Sequence, residues 1–203
     1  MKILIACEFS GTVRDAFAAK GHNAWSCDIL PTERPGNHYQ CDVLDILGEG
    51  WDMMIAHPPC TYLSNAGACR LYPQKGVLDM DRYNKGLEGK AFFMALLNCG
   101  IPKICIENPV SSTVFNMPLC SQEIQPWMFG APYTKKTRLW LKGLPLLTPT
   151  NIVKPIAPYC PAGTGRKIAA KYGAAIRGDD AKNRSKTFHG IAEAMAEQWG
   201  TLD

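Results

Sequence analysis

No stretch of this sequence approaches the roughly 20 consecutive apolar residues that a membrane-spanning helix needs, so the hydropathy pattern points away from a membrane. There is no internal repeat and no low-complexity tract, which leaves out solenoid, propeller and fibrous architectures. Neither a Cys-x-x-Cys pair nor a His-x-Glu pattern is present, so the usual zinc-ligand spacings are missing and no metal is expected. The opening segment, MKILIACEFS, holds a short apolar run that ends at a glutamate and reads as a buried strand rather than an export signal. Nine cysteines, an odd count at irregular spacing, do not make a disulfide framework. They fit reduced thiols in a cytoplasmic protein, and Cys7, Cys27, Cys99 and Cys105 sit in apolar runs where a thiol acts as a small core residue.

What is present is a chain of 203 residues with 46% hydrophobic content, enough for one substantial core and short for two full domains. The net charge of +4 is too modest to single out a nucleic-acid binder. Its distribution is less even: residues 142–186 carry nine basic side chains against two acidic ones, Asp179 and Asp180. That segment can meet phosphate, or it can be a solvated face.

The apolar run at residues 2–7 predicts a strand, and Val13, Ala16 and Phe17 recur at helical spacing over 12–20 before Gly21 ends the pattern. A second strand over 24–27 stops at Asp28, giving strand, helix and strand within about thirty residues, the length of a βαβ unit. Asp42 and Asp45 frame a third short strand or turn, and residues 51–56 form a buried fourth strand halted by Pro58 and Pro59. Residues 87–98 follow a helical pattern, 103–106 a fifth strand, and 125–129 and 137–141 two more short strands suited to antiparallel pairing. The stretch 144–186 is rich in Pro, Gly and Lys without periodicity, and a closing helix runs over 190–199.

In open parallel sheets ligands bind beyond the carboxyl ends of the strands. Residues 8–11, Asp28, Asp42, Cys60 and Glu107 all fall there. Gly11 lets a ligand approach the backbone, and Asp28 can accept hydrogen bonds from a ribose diol. Carbon 5 of cytosine is too weak a nucleophile to accept a methyl group unaided, but a thiolate adding to carbon 6 turns the ring into an enamine that can. Such chemistry needs a cysteine, a carboxylic acid at ring nitrogen 3 and cationic donors at the carbonyl oxygen. Cys60, Glu107 and the pair Lys136 and Arg138 supply those types.

Pro58-Pro59-Cys60 with Ser64 beyond it, and Ile106-Glu107-Asn108, resemble the Pro-Cys and Glu-Asn motifs of the DNA cytosine C5-methyltransferases. Phe129-Gly130-Ala131-Pro132 followed by Lys136 and Arg138 resembles that family's basic segment, with lysine where the first arginine is usual and one extra residue. Phe9-x-Gly11 resembles its first cofactor motif, Asp28 its ribose-binding acid and Asp42 the acid near the adenine amino group. The motif order agrees over most of residues 1–141, and the set looks like the compact methyltransferase-like proteins of bacteriophages. The departures are His57 where glycine is common, Thr61, Pro109, Val13 in place of a second glycine, and only about forty residues where a target-recognition domain would stand.

The resemblance implies an α/β fold, Rossmann-like, with a mostly parallel sheet and helices on both faces. It implies a catalytic core over 1–143, a reduced recognition region over 144–186 and a closing helix over 187–203. S-adenosylmethionine is the implied cofactor, held by Phe9, Gly11, Asp28, Asp42 and Pro58. DNA is the implied partner, cytosine the acceptor, and the cytoplasm of a bacterium or phage-infected host the location. The catalytic set implied is Cys60, Glu107, Lys136 and Arg138. Three alternatives stay open: action on a free pyrimidine nucleotide, a noncatalytic DNA- or nucleotide-binding role, and an amino-methyltransferase, against which Cys60 stands where that class has an aromatic residue. His57 is open too, as a partner for Cys60 or, with Cys69, a metal ligand.

Overall fold

Ile3 and Ile5 on one side of the first strand, and Leu4 and Ala6 on the other, are all fully buried. A strand buried on both faces belongs in the middle of a sheet covered twice, and that is where a computed structural model places it. The structure describes residues 1–68, 70–159 and 185–202. Its main sheet has seven strands in the order β3-β2-β1-β4-β5-β8-β6. These are β1 (Lys2–Ala6), β2 (Asn23–Asp28), β3 (His38–Gln40), β4 (Met53–Ala56), β5 (Lys103–Pro109), β6 (Gln122–Ile124) and β8 (Thr137–Lys142). The first five run parallel, whereas β8 is antiparallel to both β5 and β6.

Helices α1 (Thr12–Ala19) and α4 (His189–Trp199) cover one face, where Val13, Phe17, Ile191, Met195 and Trp199 pack with Ile3, Ile5, Met53, Ile55 and Cys105. The single-turn α2 (Asn65–Ala68) follows β4, and on the other face of the sheet α3 (Met80–Asn98) brings Phe93 and Leu96 onto Leu4, Met54, Ile104, Ile106 and Trp140. Each fully buried large side chain contributes about 1.5–3 kcal/mol. The α/β fold with a mostly parallel sheet and helices on both faces is therefore the one expected from the resemblance.

Three local expectations need correction. Residues 125–129 do not form a strand: Pro126–Met128 is a single 3-10 turn with proline at its start, and β8 pairs antiparallel with β5 and with β6 (Gln122–Ile124), which lies just before that turn. Proline has no N–H for a sheet ladder, so strand pairing stops before it. Helix α3 begins seven residues earlier than its apolar pattern, at Met80, because Asp79 caps it by accepting from the Arg82 N–H at 3.0 Å. Gly86 and Gly89 hid that first half, yet Gly86 is required there, since a Cβ would collide with the Phe115 ring. Strand β5 runs three residues further than expected and so contains Glu107.

Between Leu144 and Tyr159 the chain is irregular except for β9 (Ala157–Pro158), which pairs in parallel with β7 (Tyr133–Thr134). The remainder of the basic segment, with Arg166, Lys167, Lys171, Arg177, Lys182 and Arg184, lies outside the described residues, as does Cys69. No described helix is long and apolar enough to cross a membrane.

Candidate active site

Because β1, β2, β3, β4 and β5 are parallel, the loops that leave them gather at one edge of the sheet. Glu8 sits in the first of these loops and is buried. Gly11 precedes α1 and has no side chain with which to cap it, so the Glu8 carboxylate takes that role, accepting from the N–H groups of Val13 at 2.7 Å and Arg14 at 3.2 Å. Arg14, only 1% exposed, reaches back beneath the second loop. Its guanidinium donates to Ser26 and Thr32 and to the carbonyls of Arg34 and Pro35, at 3.1–3.2 Å.

The loops enclose a cavity of about 500 Å³, within the range of small-molecule sites. Phe9, Asp28 and Asp42, three of the expected cofactor residues, line it, together with Leu30, Phe92 and Thr187. Asp28 Oδ1 accepts from the Leu30 N–H at 2.9 Å and Asp42 Oδ1 from the Leu44 N–H at 3.0 Å. In each case the second carboxylate oxygen makes no hydrogen bond with a described residue, which suits a ligand bearing hydroxyl or amino donors. Gly11 does not line the cavity; its place is beside Arg14. Of the two prolines, Pro59 lines the cavity whereas Pro58 is buried. The thiols of Cys7, Cys27 and Cys41 complete the wall. Burial, with Asp28 nearby, pushes the Cys7 thiol far up, and burial with the Cys41 contact at 3.8 Å pushes Cys27 up to about 12. These are neutral thiols rather than nucleophiles.

The register between β4 and β5 ends at the pair Ala56 and Ile106, so the next residues, His57 and Glu107, stand side by side. His57 Nδ1 is 2.9 Å from Glu107 Oε2, with the side chains 11% and 12% exposed. Thr187 Oγ1 donates to the same oxygen at 3.2 Å. Burial opposes ionisation of Glu107, but the hydrogen bond and charge of His57, the charge of Lys135 and the Thr187 bond outweigh it and bring its carboxyl down to about 2. Burial likewise opposes charge on His57, and the Glu107 hydrogen bond and charge, helped by Glu8, raise it above its ordinary value. The pairing favours charge on both partners, an imidazolium beside a carboxylate.

Cys60 is half-buried, is not in a disulfide and opens the turn after the two prolines, its carbonyl accepting from Leu63 and Ser64 at 3.2 and 3.0 Å. The turn is tied to the loop after β5: Ser112 N–H donates to Leu63 O at 2.8 Å and Asn65 N–H to Val110 O at 2.9 Å. The turn opened by Cys60 is thus fixed to the loop that leaves β5, the strand that carries Glu107. Tyr62, two residues on, is flanked by Arg82 at 4.9 Å and Lys85 at 5.8 Å from its ring centre.

Lys136 and Arg138 are not brought to Glu107. Both pair with Glu123, at 3.2 and 2.9 Å. The register sets Leu139 opposite Glu107 and Arg138 opposite Asn108, so Arg138 leaves the sheet on the other face. The cation whose charge reaches Glu107 and His57 is Lys135. Sequence reasoning missed Lys135, the pairing of His57 with Glu107, Thr187, and the roles of Glu8 and Arg14. The signal for the His57 pairing was available: each residue follows the buried apolar run of a neighbouring parallel strand.

The sheet and its two helical layers define a Rossmann-like α/β fold. No protein-family model matches the chain, and no curated protein matches it. Among solved structures it is similar to a candidate DNA modification methyltransferase encoded within a prophage of E. coli, with 14% identity over 77% of this chain and a TM-score of 0.45. The match spans 52% of that chain, about half its length.

Proposed function

We propose that this chain is an S-adenosylmethionine-dependent methyltransferase acting on carbon 5 of cytosine in DNA, with Cys60 as the attacking nucleophile. The observation that carries the reading is the cavity lined by Asp28, Asp42, His57 and Pro59, with Cys60 the next residue after Pro59 and Glu107 hydrogen-bonded to His57. The cavity is large enough for a nucleoside-sized cofactor, and its donor set suits one: Asp28 would take the ribose hydroxyls, Asp42 the adenine amino group, and Phe9 an apolar face. When bound, S-adenosylmethionine supplies an electrophilic methyl group.

The chain's own residues would do the rest. Cys60 adds as thiolate to carbon 6, which makes carbon 5 nucleophilic, and after methylation it is expelled as the carbon 5 proton passes to solvent water. Glu107 meets ring nitrogen 3 and the amino group. We place Lys135 at the carbonyl oxygen in the role expected of Lys136 and Arg138, because its charge is the one felt at Glu107. Lys136 and Arg138 then form an exposed basic rim, suited to phosphate once Glu123 is displaced.

The reading is tested by incubating DNA with the protein and labelled S-adenosylmethionine and analysing the nucleosides by mass spectrometry. Label in 5-methylcytosine supports it; label in an exocyclic amine, or in no nucleoside, removes it. A free cytidine nucleotide run in parallel separates polymer from monomer acceptors.

A further inference from the structure

Glu107 is asked to give a proton to a ring nitrogen, and its surroundings remove that proton. A carboxyl held protonated for such a task sits in an apolar pocket. Glu107 instead has an imidazole at 2.9 Å, a hydroxyl at 3.2 Å and the field of Lys135, all favouring the carboxylate. The same contact, 2.9 Å between His57 Nδ1 and Glu107 Oε2, favours the proton on His57. That imidazole lines the cavity as well as bonding Glu107, and its Nε2 is buried with no hydrogen-bond partner among the described residues. A cationic ring with one nitrogen left unpartnered is a costly thing to bury for packing alone.

We propose, building on the function proposed above, that His57 is a positioning residue that stores the proton Glu107 passes to ring nitrogen 3, so the acid of this site is an imidazolium–carboxylate pair. When the Cys60 sulfur bonds to carbon 6, the electron pair of the 5,6 double bond moves to form the 4,5 double bond. The pair between carbon 4 and nitrogen 3 then moves onto that nitrogen. Nitrogen 3 takes a proton through Glu107, and His57 Nδ1 gives up its own to the carboxylate. A thiolate and an imidazolium become a thioether and a neutral imidazole, so charge balances; after methylation the carbon 5 proton leaves to solvent, its electron pair re-forms the 5,6 double bond as the thiolate is expelled, and nitrogen 3 returns its proton through Glu107 to His57. Glu107 and Glu8 favour the charged imidazole and Lys135 opposes it; the Lys186 ammonium at the cavity wall is taken up by Glu33 at 2.7 Å.

The test begins on the protein alone, by NMR titration of its histidine ring protons in wild type and Glu107→Gln. The wild-type His57 stays protonated at neutral pH, and the variant lowers its midpoint by about one pH unit, a tenfold loss of proton affinity. In methylation assays the wild-type kcat/KM falls on the alkaline side with the midpoint seen for His57. His57→Asn keeps an amide donor near the Nδ1 position but carries no spare proton. It abolishes that limb and lowers kcat by about a hundredfold, with KM for the cofactor within about twofold. A wild-type His57 that is neutral at pH 7, or an alkaline limb that survives in His57→Asn, overturns the proposal while leaving cytosine methylation standing. A protein with a charged His57 that methylates no cytosine overturns the function and this proposal together.

Discussion

Arg14 is packed against Gly11: a Cβ built on Gly11 would lie 2.5 Å from a terminal guanidinium nitrogen, and Gly11 also has a φ of +72°. The glycine that the sequence offered as a point of ligand approach is needed to admit a buried arginine, and that arginine holds the cavity's second loop. Arg14→Met should lower stability by about 2–3 kcal/mol, because the carbonyls of Arg34 and Pro35 lose a buried donor. It should weaken cofactor binding as well. Urea unfolding and calorimetry read the two effects, and unchanged affinity in a folded variant would separate Arg14 from the cavity.

The His57–Glu107 pair makes stability depend on pH with a defined sign. Glu107 is lowered to about 2, so its contribution is full above the unfolded value of about 4.3 and is lost as pH falls toward 2. His57 is raised, so its contribution is full below about 6.5 and is lost as pH rises through its folded value. The stability difference between wild type and Glu107→Gln is therefore largest between about pH 4.3 and 6.5. Denaturant titrations across the pH range check it; a difference that grows steadily to pH 9 would contradict the pairing.

Asp28→Ala should weaken S-adenosylmethionine binding by about 1–3 kcal/mol, the range for hydrogen bonds to a charged acceptor. Isothermal calorimetry giving equal affinity would take Asp28 out of the cofactor site.

Lys135→Ala and Lys136→Ala should behave differently, although the residues are neighbours in sequence. Loss of Lys135 should lower the single-turnover rate by about tenfold or more, as its charge is withdrawn from the base site. Loss of Lys136 should leave that rate within about twofold and instead lower the salt dependence of DNA binding if the rim meets phosphate, by about 0.7–0.9 in slope per contact. Equal rates for the two variants would return the cation role to an unassigned residue.

Most of the fold was legible because its strands are short apolar runs closed by punctuating residues: Asp28 ends β2, Pro58 follows β4, and Gly100 with Pro102 precedes β5. Where the pattern misled, side chains distant in sequence were responsible. The early turns of α3 look polar and glycine-rich because Gly86 makes room for Phe115. Glu123 lies only fifteen residues before Arg138, but its capture of Arg138 and of the neighbouring Lys136 depends on the pairing of β6 with β8, which sets Glu123 opposite Arg138. Cys60, Glu107, Asp28 and Asp42 could be picked out because strand ends are where parallel sheets present chemistry. His57 was noticed for its position, yet its partner fifty residues away is set by strand register.

The most direct measurement uses DNA containing 5-fluorocytosine. Fluorine at carbon 5 cannot leave as a proton does, so an enzyme that methylates through a thiolate adduct stays bonded to the base. Wild-type protein incubated with this DNA and S-adenosylmethionine should gain the mass of the methylated oligonucleotide under denaturing conditions. Cys60→Ser should gain none, while still binding cofactor, since a hydroxyl is a poor substitute for a thiolate. An adduct that maps to Cys60 is the predicted result. Methyl transfer to cytosine without an adduct, or equal activity in Cys60→Ser, would contradict the account.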